Sequence, residues 1–456
     1  MRDDARRTLL LDAAERGIKY IEGLDAQDVF PCPEHIRRLE QALDEPLQQD
    51  PARDADVLAF IDTFGSPATV ACAGGRYFGF VTGGALPAAV AANWMAGAWD
   101  QNCFSAISSP ALAAFELAAL RWLKDVLQLP AESEGALVAG ATMANFTCLA
   151  AARHAVLEKV GWNVEERGLF GAPEITVIVG AEVHASILKV LSMLGLGRGR
   201  IKRVPVDRQG RMLGRELPQI EGPTIVCVQA GNVNSGAFDP AQEIIGRAQE
   251  RGAWVHVDGA FGLWARASQR LAPLAAGYEL ADSWATDAHK WLNVPYDCGV
   301  ALVRSPVALR RAMSVSGDYL LLGAQRNAID VTPDASRRAR ALEVWAALKS
   351  LGRAGLAEMI ERNCRQASWL AQQLADAGCT VLNEVVLNQI VVSFGDDDHN
   401  KRTIAALQAS GECWCGGTSW QGRHAMRISI SSWATTQQDL ERTLAAILKA
   451  RELGRG

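Results

Sequence analysis

Trp254–Val255–His256–Val257–Asp258–Gly259–Ala260 is the stretch on which the reading of this chain turns. Aromatic and β-branched residues fill its first half, as in a strand buried on both faces. Its end changes character at once, to a carboxylate followed by two small residues. Similar runs lie on either side: Ala136–Leu137–Val138, Ile175–Thr176–Val177–Ile178–Val179, Thr224–Ile225–Val226–Cys227–Val228 and Gly299–Val300–Ala301–Leu302–Val303. Stretches of helical composition, such as Ala241–Gln242–Glu243–Ile244–Ile245–Gly246–Arg247–Ala248, separate them. This alternation predicts an α/β protein, with a mostly parallel central sheet and helices on both faces. Ligands of such sheets sit beyond the carboxyl ends of the strands. The residues just past each run therefore carry the functional reading.

The first run leads into Gly140–Ala141–Thr142, a turn opening a helix, where free N–H groups and the helix dipole favour a phosphate. A plain glycine turn with Thr142 as a cap is the competing reading. The second run leads to His184, suited to stacking on a planar ring, or else to capping a helix. After the third come Gly231–Asn232–Val233–Asn234, where Asn232 or Asn234 either hydrogen-bonds a ligand oxygen or serves the turn itself. The short run Asp282–Ser283–Trp284–Ala285 reads as one more buried strand and leads into Thr286–Asp287–Ala288–His289–Lys290–Trp291. A lysine at its ordinary pKa of about 10.4 is protonated and not nucleophilic, but apolar surroundings disfavour the charge and free the amine. Such an amine suits Schiff-base chemistry with an aldehyde. Asp258 is then placed to hold the pyridinium nitrogen of pyridoxal phosphate (PLP) protonated, with Lys290 on the aldehyde. His289 reads as a phosphate or substrate contact, or as a buried, satisfied histidine. For Arg427, in the strand-like run Met426–Arg427–Ile428–Ser429–Ile430, an internal salt bridge is preferred over a bound carboxylate.

The rest of the chain sets bounds. With 456 residues, 49% of them hydrophobic and 21% charged, a large core and two domains are expected. A net charge of −5 gives no reason to expect nucleic acid or an anionic membrane as partner. No apolar run approaches the roughly 18 residues of a membrane-spanning helix, and the N-terminal run is too short for a signal peptide. The ten cysteines lack paired metal-ligand spacing, so no metal is expected, and reduced thiols point to the cytoplasm. Residues 1–68 read as a helical arm that wraps a neighbouring subunit, 69–312 as a large cofactor-binding domain, and 313–456 as a small C-terminal α+β domain. The stretch Arg76 to Gly84 has no evident place in one subunit's core. The polar segment Gly323 to Asp334 reads as a mobile lid.

Asp258–Gly259–Ala260, His289–Lys290 before Trp291, and His184 after a strand together resemble the group II PLP-dependent amino-acid decarboxylases, which include aromatic L-amino-acid and glutamate decarboxylases. The resemblance runs from about Tyr77 to Trp433. It implies the type I PLP-dependent transferase fold, an obligate homodimer with shared active sites, and decarboxylation of an L-amino acid to an amine and carbon dioxide. By the same resemblance Lys290 forms the Schiff base, Asp258 pairs with the ring nitrogen, Ala260 packs beside the ring and His184 stacks on it. Ala141 and Thr142, with His289, resemble the phosphate site, and Asn232 and Asp287 are expected as further cofactor contacts. Phe80, Thr82, Asn102 and Phe104 fall where the family lines its substrate pocket, partly from the partner subunit. One departure stands out: the family carries a tyrosine in the loop before an arginine-rich helix, and residues 323–334 contain none, Tyr319 being the nearest. The alternatives on the same scaffold are an aminotransferase, an aldehyde-forming oxidative deaminase or an aldol-type lyase. A scaffold protein with a decayed site is disfavoured, because Asp258, His184, His289 and Lys290 are all present.

Overall fold

The computed structural model describes residues 2–314 and 326–455. They form two compact units, one of residues 83–314, 326–371 and 382–390, the other of residues 2–82, 372–381 and 391–455.

The larger unit is built on a seven-stranded sheet: β1 (Glu134–Val138), β2 (Thr176–Gly180), β3 (Lys202–Val204), β4 (Thr224–Gln229), β5 (Trp254–Asp258), β6 (Ser283–Asp287) and β7 (Gly299–Val303), in spatial order 1-7-6-5-4-2-3. Strands β3, β2, β4, β5 and β6 are parallel neighbours. Strand β7 runs antiparallel to both β6 and β1, so β1 points the same way as β6 and only β7 is reversed. Every run expected to be a strand is one, and the segment after Asp282 extends to Asp287. Alternate residues account for the two faces. Val138, Val179, Ile225, Cys227 and Ala301 pack with Leu149, Ala152, Ile187 and Leu191 of two helices on one side. Leu137, Ile178, Val226, Val257 and Leu302, at the intervening positions, are equally buried. Burial on both faces is what the unbroken apolar runs encode.

In the smaller unit, helices Arg2–Glu22, Pro33–Leu43 and Asp54–Phe60 precede the glycine- and aromatic-rich stretch. A four-stranded sheet, β10-β11-β9-β8, comprises β8 (Thr380–Val381), β9 (Gln389–Ser393, whose first two residues fall in the larger unit), β10 (Gly416–Trp420) and β11 (Arg423–Ser429). Helices Asp397–Ala409 and Gln437–Gly454 accompany it. The stretch after Gly74 does have a place in its own subunit. Phe78 N–H donates to Trp414 O at 2.8 Å and Trp414 N–H to Arg76 O at 3.1 Å. Tyr77 stacks on the Trp414 ring at 5.1 Å. The buried Arg76 guanidinium binds the carbonyls of Asp25 and Gln27 at 3.0 and 3.1 Å. A contact to residues more than 300 positions away leaves no local pattern, which is why the sequence suggested a partner subunit instead.

Residues 326–334 are also not the loose lid expected. Arg326 Nε donates to Glu134 at 3.1 Å, Ile329 N–H to Phe104 O at 3.0 Å, and Val331 is fully buried. Tyr319 and residues 323–325 lie outside the described residues.

Candidate active site

The carboxyl ends of β1, β2, β4, β5 and β6 share one edge of the large sheet, and a pocket of about 360 Å³ opens there. Eight of the residues singled out in the sequence line it: Ala141, Thr142, His184, Asp258, Ala260, Asp287, His289 and Lys290. The direction of the strands brings them together, since each lies at or just past a strand end.

β1 ends at Val138, and the helix Ala141–Glu158 begins after Gly140. A Cβ on Gly140 would lie 3.2 Å from the His289 ring and 3.6 Å from Asp287 Oδ1, so a side chain there would crowd the pocket wall. On the far side, β5 delivers Asp258, which is only 5% exposed. Its Oδ1 is buried and has no hydrogen-bond partner among the described residues. Burial raises its pKa above the usual carboxylate range, while the charges of His184 and Lys290 draw it back. Strand β6 ends in Asp287, and the Trp264 indole fixes that end by donating to Asp287 O at 2.9 Å. Lys290 Nζ lies 2.9 Å from Asp287 Oδ2. The apolar surroundings expected for the lysine thus include a carboxylate, supplied three residues earlier in the chain. Trp291 anchors the segment through its indole N–H to Asn363 Oδ1 at 3.0 Å.

Both pocket histidines have their neutral tautomer fixed by backbone donors. His289 Nδ1 accepts the Cys298 N–H at 3.0 Å, which leaves the ring proton on Nε2, 3.5 Å from Asp287 Oδ1. Burial lowers the His289 pKa below its ordinary value, favouring that neutral form. His184 both lines the pocket and caps the helix Ala185–Met193, its Nδ1 accepting the Ser186 N–H at 3.3 Å. Its Nε2 therefore carries the proton in the neutral ring.

Five expected contacts fall elsewhere or cannot be placed against this pocket. Asn232 turns its Oδ1 into its own turn, accepting from Asn234 N–H at 2.9 Å and Ser235 N–H at 3.3 Å, while its neighbours Gly231 and Val233 line the pocket. Asn102 Oδ1 accepts from Arg337 N–H at 3.0 Å, and neither Asn102 nor Phe104 lines the pocket. Phe80 and Thr82 belong to the smaller unit, where Phe80 is exposed beside Trp414 and Thr82 is buried. In that unit the internal salt bridge preferred for Arg427 does not form among the described residues. Burial alone lowers its guanidinium pKa, with no carboxylate opposing the shift. The sequence reading missed Gln229, which lines the pocket and donates to Glu182 O at 3.1 Å. Its place as the last residue of a strand run was the available signal.

Comparison with known proteins agrees with this architecture. Oryza sativa TDC, solved with PLP and tryptamine, shares the fold at a TM-score of 0.90 with 22% identity, over 99% of this chain and 98% of that one. In sequence, an L-2,4-diaminobutyrate decarboxylase of Rhizobium meliloti is 30% identical over 395 residues, 81% of this chain and 76% of that protein. An aromatic-L-amino-acid decarboxylase of Bacillus atrophaeus is 26% identical over 391 residues, 80% and 79% of the two chains. Residues 33–394 match the pyridoxal-dependent decarboxylase conserved domain. The chain belongs to the group II family of PLP-dependent amino-acid decarboxylases. Its cofactor is pyridoxal phosphate and it is a carboxy-lyase.

Proposed function

We propose that this decarboxylase holds its cofactor on the Lys290 amine, with Asp258 against the ring nitrogen and His184 over the ring face. Ala260 packs beside the ring, and Ala141, Thr142 and His289 surround the phosphate. The observation that carries this reading is Asp258 Oδ1, a buried acceptor without a partner among the described residues, in the pocket that Lys290 also lines. Leaving such an atom unpaired costs about 1–3 kcal/mol, and a protonated ring nitrogen supplies the missing donor. When bound, pyridoxal phosphate supplies an electron sink for the charge left on the α-carbon as carbon dioxide departs. Asp258 serves that chemistry by holding a proton at the ring nitrogen. The His289 N–H and the helix N-terminus orient the phosphate. His184, with its proton on Nε2, is the donor we assign for proton return to the α-carbon, together with water.

The working form in this reading is a homodimer in the cytoplasm, with residues 1–68 as a dimerisation arm and Phe80, Thr82, Asn102 and Phe104 serving shared substrate pockets. Helix Arg2–Glu22 exposes Leu10, Leu11, Ile18 and Ile21, and helix Pro87–Trp99 exposes Trp94, Met95 and Trp99, apolar surface that a second subunit would cover. Asn102 and Phe104 do not line the pocket of their own subunit, as expected of residues that serve a partner's pocket. Ten free thiols suit a reducing compartment. Among the described residues no helix is long and apolar enough to cross a membrane.

Borohydride reduction followed by peptide mapping tests the assignment: the cofactor should be fixed on Lys290, and a label on another lysine, or none, would refute it. A panel of L-amino acids, with carbon dioxide, ammonia and keto acid measured separately, identifies the substrate. Mixing Lys290→Ala with Phe80→Ala subunits should restore part of the activity if the pockets are shared. A monomer by light scattering at working concentration overturns the dimer.

A further inference from the structure

Asp287 makes two contacts at the two places the cofactor must reach. Its Oδ1 accepts the Ala141 N–H at 2.6 Å, at the start of the 18-residue helix Ala141–Glu158. The first N–H groups of a helix have no partner within the helix, and they form its anion-binding end. Asp287 Oδ2 meanwhile lies 2.9 Å from Lys290 Nζ. The carboxylate is 2% exposed, so water does not screen either contact. One internal anion thus occupies part of the phosphate cradle and, with its other oxygen, pairs with the amine that attaches the aldehyde. Independently, Asp258, whose buried Oδ1 has no partner among the described residues, lines the same pocket and marks where the ring belongs.

We infer that Asp287 is a built-in stand-in for the cofactor's phosphate: it holds the helix N-terminus and the Lys290 amine in the cofactor-free protein and opposes PLP binding. The inference rests on the proposed attachment at Lys290. Two effects carry it, and both have the same sign. Attachment would convert the lysine amine and the aldehyde into a carbon–nitrogen double bond with loss of one water, leaving at most one N–H where the ammonium has three and so weakening the pair with Asp287. The arriving phosphate also brings negative charge close to a buried carboxylate that already takes an N–H from its cradle. Asparagine at this position would still accept from Ala141 N–H through its amide oxygen. It would remove the like charge and the ion pair together. Asp287 is therefore a positioning residue whose charge sets how tightly and selectively the phosphorylated cofactor is held.

The test uses the full-length protein stripped of cofactor. Wild type, Asp287→Asn and Asp287→Ser are titrated with PLP and, separately, with pyridoxal, which has the aldehyde but no phosphate. Absorbance of the lysine-bound form is the readout. Asp287→Asn should bind PLP at least about tenfold more tightly than wild type, since a like charge near a buried anion weighs on this scale. Pyridoxal should gain less, so the preference for the phosphorylated form rises. Inorganic phosphate should raise the melting temperature of the stripped Asp287→Asn protein more than that of wild type. Asp287→Ser, smaller and also uncharged, should follow the same direction and serves if the asparagine variant does not fold. Unchanged or weaker PLP binding in the neutral variants, or a parallel change for pyridoxal, overturns the inference. Borohydride mapping of the wild type separates the two possible failures. If Lys290 is unlabelled, the attachment site is wrong; if it is labelled and the neutral variants bind PLP no better, only the role of Asp287 falls.

Discussion

Gly83→Ala should disable the site without touching a residue assigned to the chemistry. A Cβ on Gly83 would fall 1.6 Å from the Lys290 carbonyl oxygen, 2.8 Å from the carbonyl carbon and 3.1 Å from Asn293 Nδ2. Non-bonded carbon and oxygen settle at roughly 3.3–3.6 Å, so one backbone must retreat by about 1.5–2 Å. The Lys290 carbonyl is itself tied down, accepting from Asn293 N–H at 3.3 Å and from its side-chain amide at 3.4 Å. Relief therefore comes at the lysine, at the Gly83 strand of chain, or at both. A misplacement of about 1 Å at a reacting group costs on the order of 10²-fold, or about 2.7 kcal/mol in the barrier. Overpacking adds about 1–3 kcal/mol of destabilisation. The assay is kcat/KM together with PLP titration of the stripped protein, after circular dichroism confirms a folded chain. Gly97→Ala is the control: no atom lies within 4 Å of its Cβ, and in the helix Pro87–Trp99 alanine should add about 0.5–1 kcal/mol of stability. A Gly83→Ala protein with wild-type PLP affinity and a rate within threefold of wild type would show that the close approach to Lys290 is immaterial.

Asp258→Asn should leave the fold intact and lower kcat by several orders of magnitude, because an amide cannot hold the ring nitrogen protonated; near-normal turnover would disprove that role. Arg337→Met should destabilise the chain by about 3–5 kcal/mol in urea titration, because Arg337 pairs with buried Glu116 at 3.0 and 3.2 Å and also binds Leu137 O at 2.5 Å. Adding Glu116→Gln should recover part of the loss, and a cost below about 1 kcal/mol for the single change would contradict it. The buried His154 ring lies 2.5 Å from Glu165 and 3.4 Å from Glu158, with Arg311 opposing, and its pKa is raised, first through the Glu165 hydrogen bond. Its folded value thus exceeds the unfolded one of about 6.5, so its contribution is complete below that pH and is lost as pH rises through the folded value. His154→Gln should flatten that part of the stability–pH curve; an unchanged slope would assign it to another group.

The sheet was legible because its strands are buried on both faces and so appear as unbroken runs of β-branched and apolar residues. β3 was not: Lys202–Arg203–Val204 is a short edge strand with two exposed charges. The reversal of β7 was also hidden, since Gly299–Val303 reads equally well in either direction. The site residues were legible as a group because strand direction places chain-adjacent segments on one edge. Side-chain direction was not, and Asn232 shows why. Gly231 takes φ +91°, and the turn it allows directs the asparagine oxygen to Asn234 and Ser235 N–H. The pairing of Lys290 with Asp287 was foreshadowed by three-residue spacing, whereas the capture of Ala141 N–H by Asp287 joins positions 146 residues apart and needed the fold.

The glycines near the pocket bear on how this edge is held. Gly299, at the start of β7, lies so near Gly140 that a Cβ would sit 2.5 Å from its Cα. A Cβ on Gly262 would stand 2.2 Å from Ala230 O, past the end of β4. With Gly83 against Lys290 O, three pairs of backbone segments meet near the residues proposed to hold the cofactor, each at a distance only glycine allows. Gly299 and Gly262 lie outside the φ range that favours glycine, so close approach and not backbone conformation is the constraint there. The lysine and the helix N-terminus are thus set by main-chain contacts, which leave little room to adjust. This explains how one charge at Asp287 can matter: the cradle cannot move away from it, so the carboxylate and an incoming phosphate must share the space that the glycines define.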